Sequence, residues 1–213
     1  MPRSRRGERT PASFAAADEG LHEVLEDLEQ AKNYSAWIVD LIAPHVSGRI
    51  LEVGAGRGTY STYFADHGHL TALEPSQAHS VALREKLKEY PNVVVITASL
   101  DGTAAPGSYD TVVLLNVLEH IPDDHQALGD IYESLAPGGK MILWVPAFEA
   151  LYGKFDHRIG HYRRYRRNEL LASLEPKTAM HEEAFSVHRH VRTPPIASAD
   201  PQSLKFIYRS HHD

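Results

Sequence analysis

Three glycines at alternating positions, Gly54, Gly56 and Gly58, lie inside Arg49–Ser61 (RILEVGAGRGTYS). Ile50-Leu51-Glu52-Val53 ahead of them reads as a strand, and Thr59–His67 behind them as a helix. Glycine is needed where φ is positive or where a ligand must approach the backbone closely. A helix start offers unpaired N–H groups to a polar ligand. The chemistry this predicts is nucleotide binding. Glu74 lies about 20 positions after the first glycine, the separation at which an acidic residue accepts hydrogen bonds from both ribose hydroxyls. A dinucleotide site uses G-x-G-x-x-G, whereas this chain has G-x-G-x-G. The shorter spacing suits a nucleotide with no pyrophosphate to seat, and counts against NAD.

A second group of reactive side chains follows much later, in Asp156–Tyr165 (DHRIGHYRRY). An imidazole titrates near neutral pH, so His161 suits a base. Arg163 and Arg164 suit a clamp on a carboxylate or phosphate, with Asp156 and Tyr162 beside them. The same residues have a structural reading: Asp156 pairs with an arginine, His161 caps a turn and the tyrosines pack. The chain has 14 histidines, so a metal site is also weighed. His157 and His161 are four apart and would share a helix face with Asp156 nearby. Gly160 between them weakens such a helix and no H-E-x-x-H pattern occurs, so no metal is expected.

These groups need elements to hold them. Apolar spacing predicts helix over Asp18–Ala43, with a break near Asn33–Ser35 and a stop at Pro44 and Gly48. Strand and helix then alternate: strand Arg49–Val53, helix Thr59–Asp66, strand Leu70–Leu73, helix Gln77–Glu89, strand Val93–Thr97. A loop with Gly102, Pro106 and Gly107 leads to strand Thr111–Leu115, helix Asp123–Leu135 and strand Lys140–Val145. Short apolar strands alternating with helices predict a parallel sheet covered on both faces. Beyond Pro146 the chain turns aromatic and basic through Ala147–Arg167. A helix over Asn168–Leu174 and strands His181–Val191 and Ser203–Arg209, around a Pro194–Pro201 loop, are expected to close the sheet as an antiparallel pair.

Composition sets the class. The 213 residues suit one domain with a substantial core. A net charge of −6 gives no electrostatic reason to bind nucleic acid or an anionic membrane. The absence of cysteine removes disulfides and thiolate metal sites. No apolar run reaches the ~18 residues of a membrane span, and the basic start MPRSRRGERT lacks the apolar segment of a secretory signal. The expected organisation is a disordered basic tail (1–17) and one domain (18–213) in a cytoplasmic protein. That domain comprises N-terminal helices (18–48), a cofactor-binding core (49–146), a substrate-side segment (147–167) and a closing helix with strands (168–213).

Four motifs in order give the chain a resemblance to class I S-adenosylmethionine-dependent methyltransferases over roughly Tyr34–Arg167. They are Glu52-Val53-Gly54-Ala55-Gly56-Arg57-Gly58, Glu74 followed by Pro75, Asn116-Val117-Leu118-Glu119-His120-Ile121, and Leu135-Ala136-Pro137-Gly138-Gly139-Lys140. The resemblance implies a Rossmann-like fold with a mostly parallel seven-stranded sheet and helices on both faces. It implies S-adenosylmethionine as cofactor, held by Glu52, Gly54, Ala55, Gly56, Gly58, Glu74 and Pro75. The adenine would meet Ser99, Leu100 or Asp101. Asn116 and Val117 would lie under the methionine part through their backbone, and Tyr34, with Trp37, would lid the site. His120 would stand near the methyl group as a second candidate base beside His161. The D-x-x-x-G-H-Y-R-R-Y segment resembles a subgroup associated with sugars, glycolipids and small natural products, which makes Asp156, Tyr162, Arg163 and Arg164 candidate substrate contacts.

The activity so implied is methyl transfer to an oxygen or nitrogen of a small molecule, without nucleic acid or membrane, by a possible homodimer. Two other readings stand beside it: an NAD-type oxidoreductase, and a non-catalytic cofactor-binding subunit that regulates a partner.

Overall fold

The computed structural model describes residues 32–101, 103–174, 184–189 and 202–209. The expected tail, the helix ahead of residue 32 and the Pro194–Pro201 loop lie outside the described residues.

Five parallel strands form the centre of the molecule: β1 (Gly48–Val53), β2 (Gly68–Leu73), β3 (Val93–Ile96), β4 (Tyr109–Leu115) and β5 (Leu135–Pro146). Their spatial order is β3-β2-β1-β4-β5, so the direction of winding reverses between β1 and β4. Val53 lies opposite both Leu73 and Leu114, which brings the carboxyl ends of three strands level. A crevice beyond the carboxyl ends at such a reversal is where open α/β sheets bind ligands. Beyond β5 the backbone pairs antiparallel with β7 (Gln202–Arg209), and β7 pairs antiparallel with β6 (Ala184–Arg189).

Residues alternate between two cores because successive strand side chains point to opposite faces. Leu51, Val112, Leu114, Met141, Leu143 and Val145 pack on one face against Leu128 and Ile131 of α4 (Asp124–Ser134) and Leu170 of α6 (Arg167–Leu174). Ile50, Ala72, Val113, Ile142 and Trp144 face the other way. There they meet Ile38 and Ile42 of α1 (Lys32–Ile42), Phe64 of α2 (Ser61–His67), and Leu83 and Leu87 of α3 (Gln77–Leu87). The apolar runs are continuous because both faces of each central strand are covered. Ser76 and Asp123 cap α3 and α4 by accepting from the backbone N–H groups of His79 and Gln126, as a polar residue just ahead of a helix does. A short helix, α5 (Lys154–Arg158), lies in the segment after β5.

Most boundaries fall within three residues of expectation, α1 runs unbroken through the expected break near Asn33–Ser35, and one strand start departs further. The fifth strand begins at Leu135 rather than Lys140, because Leu135 already pairs with Tyr109 before the register shifts at Thr111. Gly139 fills that irregularity, since a Cβ there would stand 2.9 Å from the Tyr109 carbonyl oxygen.

Helix α2 enters β2 with no intervening loop, and Gly68 at the join pairs with Gly48. A Cβ on Gly68 would strike the Gly48 carbonyl oxygen. Backbone cannot swing aside as a side chain can, so Gly68→Ala should destabilise the protein by about 1–3 kcal/mol. A shift of the urea midpoint to lower denaturant at unchanged slope would register it.

Candidate functional site

The glycine turn leaves β1 with φ of 70° at Gly54, 56° at Gly56 and 82° at Gly58, all in the left-handed region. Gly54 has a second reason to be glycine, because a Cβ there would stand 2.6 Å from Cγ2 of Val117. The turn after β1 and the turn after β4 therefore interlock through the Val117 side chain, where a backbone role was expected for it. The Ala55 N–H donates to the Leu73 carbonyl at 2.9 Å, and the Gly58 N–H to the Ala55 carbonyl at 2.9 Å.

Glu74, at the end of β2, is buried. Its Oε2 accepts from the Gly56 amide at 2.7 Å and its Oε1 from the Ser76 amide at 2.9 Å. Nδ1 of His79 lies 3.6 Å from Glu74 Oε1; a carboxylate has about four acceptor sites, so the two amide bonds orient it without filling them. Pro75 beside it is exposed.

Glu52 is also buried and accepts a hydrogen bond from the Ser61 hydroxyl at 2.5 Å. Burial pushes its pKa up to about 8, against the pull of the Ser61 hydrogen bond. Asn116, at the end of β4, holds φ at 54°, and its N–H donates to the Trp144 carbonyl at 2.8 Å. A non-glycine residue in that region of φ is uncommon and concentrates at functional turns. Of the three adenine candidates, Leu100 is buried in the core beside Leu73. Ser99 and Asp101 are exposed and share a 3.4 Å hydrogen bond. Tyr34 packs into the other core, 5.9 Å from the Trp37 ring, which in turn meets Trp144 edge-on at 5.3 Å.

The second reactive group centres on Asp156, 1% exposed. Its Oδ1 lies 3.0 Å from Nδ1 of His161 and 2.7 Å from Nε of Arg164, while Oδ2 accepts from the Gly153 amide at 2.8 Å. Burial opposes ionisation, but these hydrogen bonds outweigh it and hold the carboxyl down at about 2. Arg163 and Arg164 were expected to clamp a substrate anion; the structure turns both toward carboxylates of the chain itself. Arg164 is held by Asp156. Arg163 lies 2.6 Å from Asp124 and donates to the Pro122 carbonyl at 2.6 Å. Tyr165 donates to the Leu118 carbonyl or Asp124, each at 3.1 Å. The Tyr162 amide donates to the Glu119 carbonyl at 2.8 Å. Asp156 thus pairs with Arg164, Arg163 with Asp124, and Tyr165 is buried.

What this network positions is His161. It is buried, with its ring 4.6 Å from that of His120 in an edge-to-face arrangement. The two histidines arrive from separate turns, Leu118–His120 after β4 and residues 159–165 after α5. Burial pushes His120 down to about 3, the neighbouring His161 reinforces this, and a hydrogen bond to the Gly160 carbonyl opposes it. Glu119 is fully buried, and its Oε1 lies 3.8 Å from Nε2 of His161. No role was expected for Glu119, although it stands within the quoted Asn116–Ile121 motif; its only signal was its place beside His120.

Residues 51–141 match the methyltransferase domain family. Within the curated proteins, the ubiquinone biosynthesis O-methyltransferase of Xanthomonas euvesicatoria is 35% identical over 99 residues, covering 45% of this chain and 41% of that protein. An uncharacterized methyltransferase of Mycobacterium tuberculosis is 26% identical over 127 residues, 59% of this chain and 50% of that protein. The chain spans about half the length of the curated relatives it matches, or somewhat less. In fold it is similar to the Burkholderia thailandensis 1,6-didemethyltoxoflavin-N1-methyltransferase, solved with its substrate and S-adenosylhomocysteine. The TM-score is 0.70 at 18% identity, covering 100% of this chain and 93% of that one. It is also similar to the N-methyltransferase NodS of Bradyrhizobium japonicum, solved with S-adenosylhomocysteine, at a TM-score of 0.67 and 15% identity over 90% and 98% of the two chains.

The fold is a Rossmann-like methyltransferase fold. The methyltransferase match takes in the glycine turn, Glu74, Asn116, Glu119 and His120, and ends before Asp156 and His161. No helix among the described residues is long and apolar enough to cross a membrane.

Burial of Glu52 has a consequence for stability. Its carboxyl titrates near 4.5 when unfolded and near 8 when folded, so the folded state binds the extra proton between these values. Stability should fall as pH rises from about 4.5 to about 8 and level off above. In Glu52→Gln that part of the slope should vanish, which urea midpoints measured across pH 5 to 8 would test.

Proposed function

We propose that this protein transfers the methyl group of S-adenosylmethionine to an oxygen or nitrogen of a small molecule. The observation that carries the reading is the buried Glu74 carboxylate, held by the Gly56 and Ser76 amides at the strand-order reversal. There it would accept the ribose hydroxyls, with Gly54, Ala55, Gly56 and Gly58 admitting the cofactor close to the backbone and Asn116 under its methionine part. Glu52 and Ser61 support the turn from within, and β6 and β7 complete a seven-stranded sheet.

Methyl transfer asks little of a protein beyond alignment and, for a hydroxyl acceptor, removal of a proton. The acceptor's lone pair bonds to the methyl carbon as the carbon–sulfur bond breaks, and its electron pair returns to sulfur. His161, oriented by Asp156, is the group that activates the acceptor on that side, with the His120 ring packed against it. Tyr162, Arg163 and Arg164 shape the acceptor wall. An acceptor drawn from sugars, glycolipids or natural products is supported by the resemblance of the Asp156–Tyr165 segment alone.

Calorimetric titration with S-adenosylhomocysteine and with NAD tests the donor. Binding of the former is expected, and tight NAD binding with no S-adenosylhomocysteine binding would overturn the reading. Gly56→Val should abolish cofactor binding while circular dichroism stays native. Glu74→Ala should weaken it by about 1–3 kcal/mol, roughly 5- to 150-fold in Kd. His161→Ala should lower turnover and spare cofactor affinity, since it lies outside the glycine turn.

A further inference from the structure

The Glu119 side chain has no stated role in methyl transfer, yet its environment demands one. It is 0% exposed, and neither carboxyl oxygen has a hydrogen-bond partner among the described residues. Burying a carboxyl without a partner is strongly unfavourable. The groups nearest it are two imidazoles. One donor atom each of Glu119, His120 and His161 lies within 4.8 Å of the others.

We infer that Glu119, His120 and His161 hold a divalent transition-metal cation at the acceptor side, an inference that rests on the acceptor-side reading above. The separation of Glu119 Oε1 from His161 Nε2 is 3.8 Å. Two donors sharing one cation at about 2.1 Å each can stand at most about 4.2 Å apart, so this pair already meets the requirement. The outer partner of His161 also fits. A metal-binding histidine donates its other ring N–H to a carboxylate or a backbone carbonyl, which fixes the tautomer and aims the ligating nitrogen. His161 has Asp156 on Nδ1 at 3.0 Å. The Tyr162 amide, bonded to the Glu119 carbonyl, ties the two ligand-bearing turns together.

This set differs from the one weighed in the sequence. His157 is exposed, and Asp156 is occupied as the outer partner of His161. Two imidazoles and one carboxylate suit zinc, iron(II), cobalt or manganese rather than calcium, which takes six to eight oxygens. Three protein ligands leave positions for the acceptor. A cation there acts as a Lewis acid: a coordinated hydroxyl loses its proton to solvent more readily, and its oxygen keeps the electron pair that attacks the methyl carbon. Such a site favours transfer to oxygen over nitrogen.

The test uses the full chain, stripped with a chelator and titrated with Co2+ by visible absorption and calorimetry. One saturable equivalent with ligand-field bands is expected. Glu119→Gln and His120→Ala should each weaken it roughly 10- to 100-fold, with S-adenosylhomocysteine affinity unchanged as proof of fold. No saturable cobalt binding by the wild type, or binding that both variants retain in full, would overturn the site. Failure of the wild type to bind S-adenosylhomocysteine would instead sink the donor reading, while the cobalt titration still decides the cation.

Discussion

The parallel pairing of β1 with β4 governs the rest of the molecule, because it forces β2 and β3 to one side and β5 to the other. With the winding reversed there, the turns that leave β1 and β4 diverge above the sheet. They remain in contact at one point, where Val117 occupies the space a Gly54 side chain would need. That contact fixes the spacing between the glycine turn and the Asn116–His120 turn. A Cβ on Gly54 would therefore disturb two loops at once. The positive φ of Gly54 and of Asn116 follows from the same geometry, since both chains must turn sharply as they leave their strands.

Carboxylates do most of the orienting above the sheet, and their surroundings divide them by role. Glu74 accepts two backbone amides and Asp156 one amide, an imidazole and a guanidinium. For Asp156 these hydrogen bonds hold the carboxyl down at about 2, against burial. Glu52 and Glu119 are buried with fewer donors, and burial pushes them up to about 8 and about 7. Glu52 has Ser61 and a structural position beneath the glycine turn. Glu119 has no such partner among the described residues and faces two histidines. Its difference from Glu52 is what separates a supporting carboxyl from one that asks for a ligand.

The order of strands and helices was legible because each central strand is covered on both faces and so reads as a short apolar run bounded by glycine, proline or a capping residue. The positive φ of Gly54, Gly56 and Gly58 and the place of Glu74 just after β2 were legible for a related reason: they depend on local backbone shape and on a fixed distance along the chain. The acceptor side was not legible in that way. His120 and His161 are 41 positions apart, and nothing in their spacing says that their rings meet at 4.6 Å. Arg163 reads as a free cation until Asp124 is brought to it by the packing of α4 beside the segment after β5. The early start of β5 was hidden by Pro137, Gly138 and Gly139, which signal a turn even though the backbone around them pairs as strand.

This contrast has a physical origin in what each half of the site must recognise. A nucleotide presents the same hydroxyls and the same charge every time, so backbone amides, a tight turn and one carboxylate suffice, and these belong to the sheet's central strands. On the proposed reading an acceptor would be recognised by side chains on the turns after β4 and β5, whose placement depends on ion pairs across the fold. Asp156 is the hinge of that arrangement, since it orients His161 while holding Arg164. Removing its charge would loosen the imidazole and the arginine together, because both lose the oxygen that orients them. The Asp156 network is thus built separately from the amide bonds that hold Glu74.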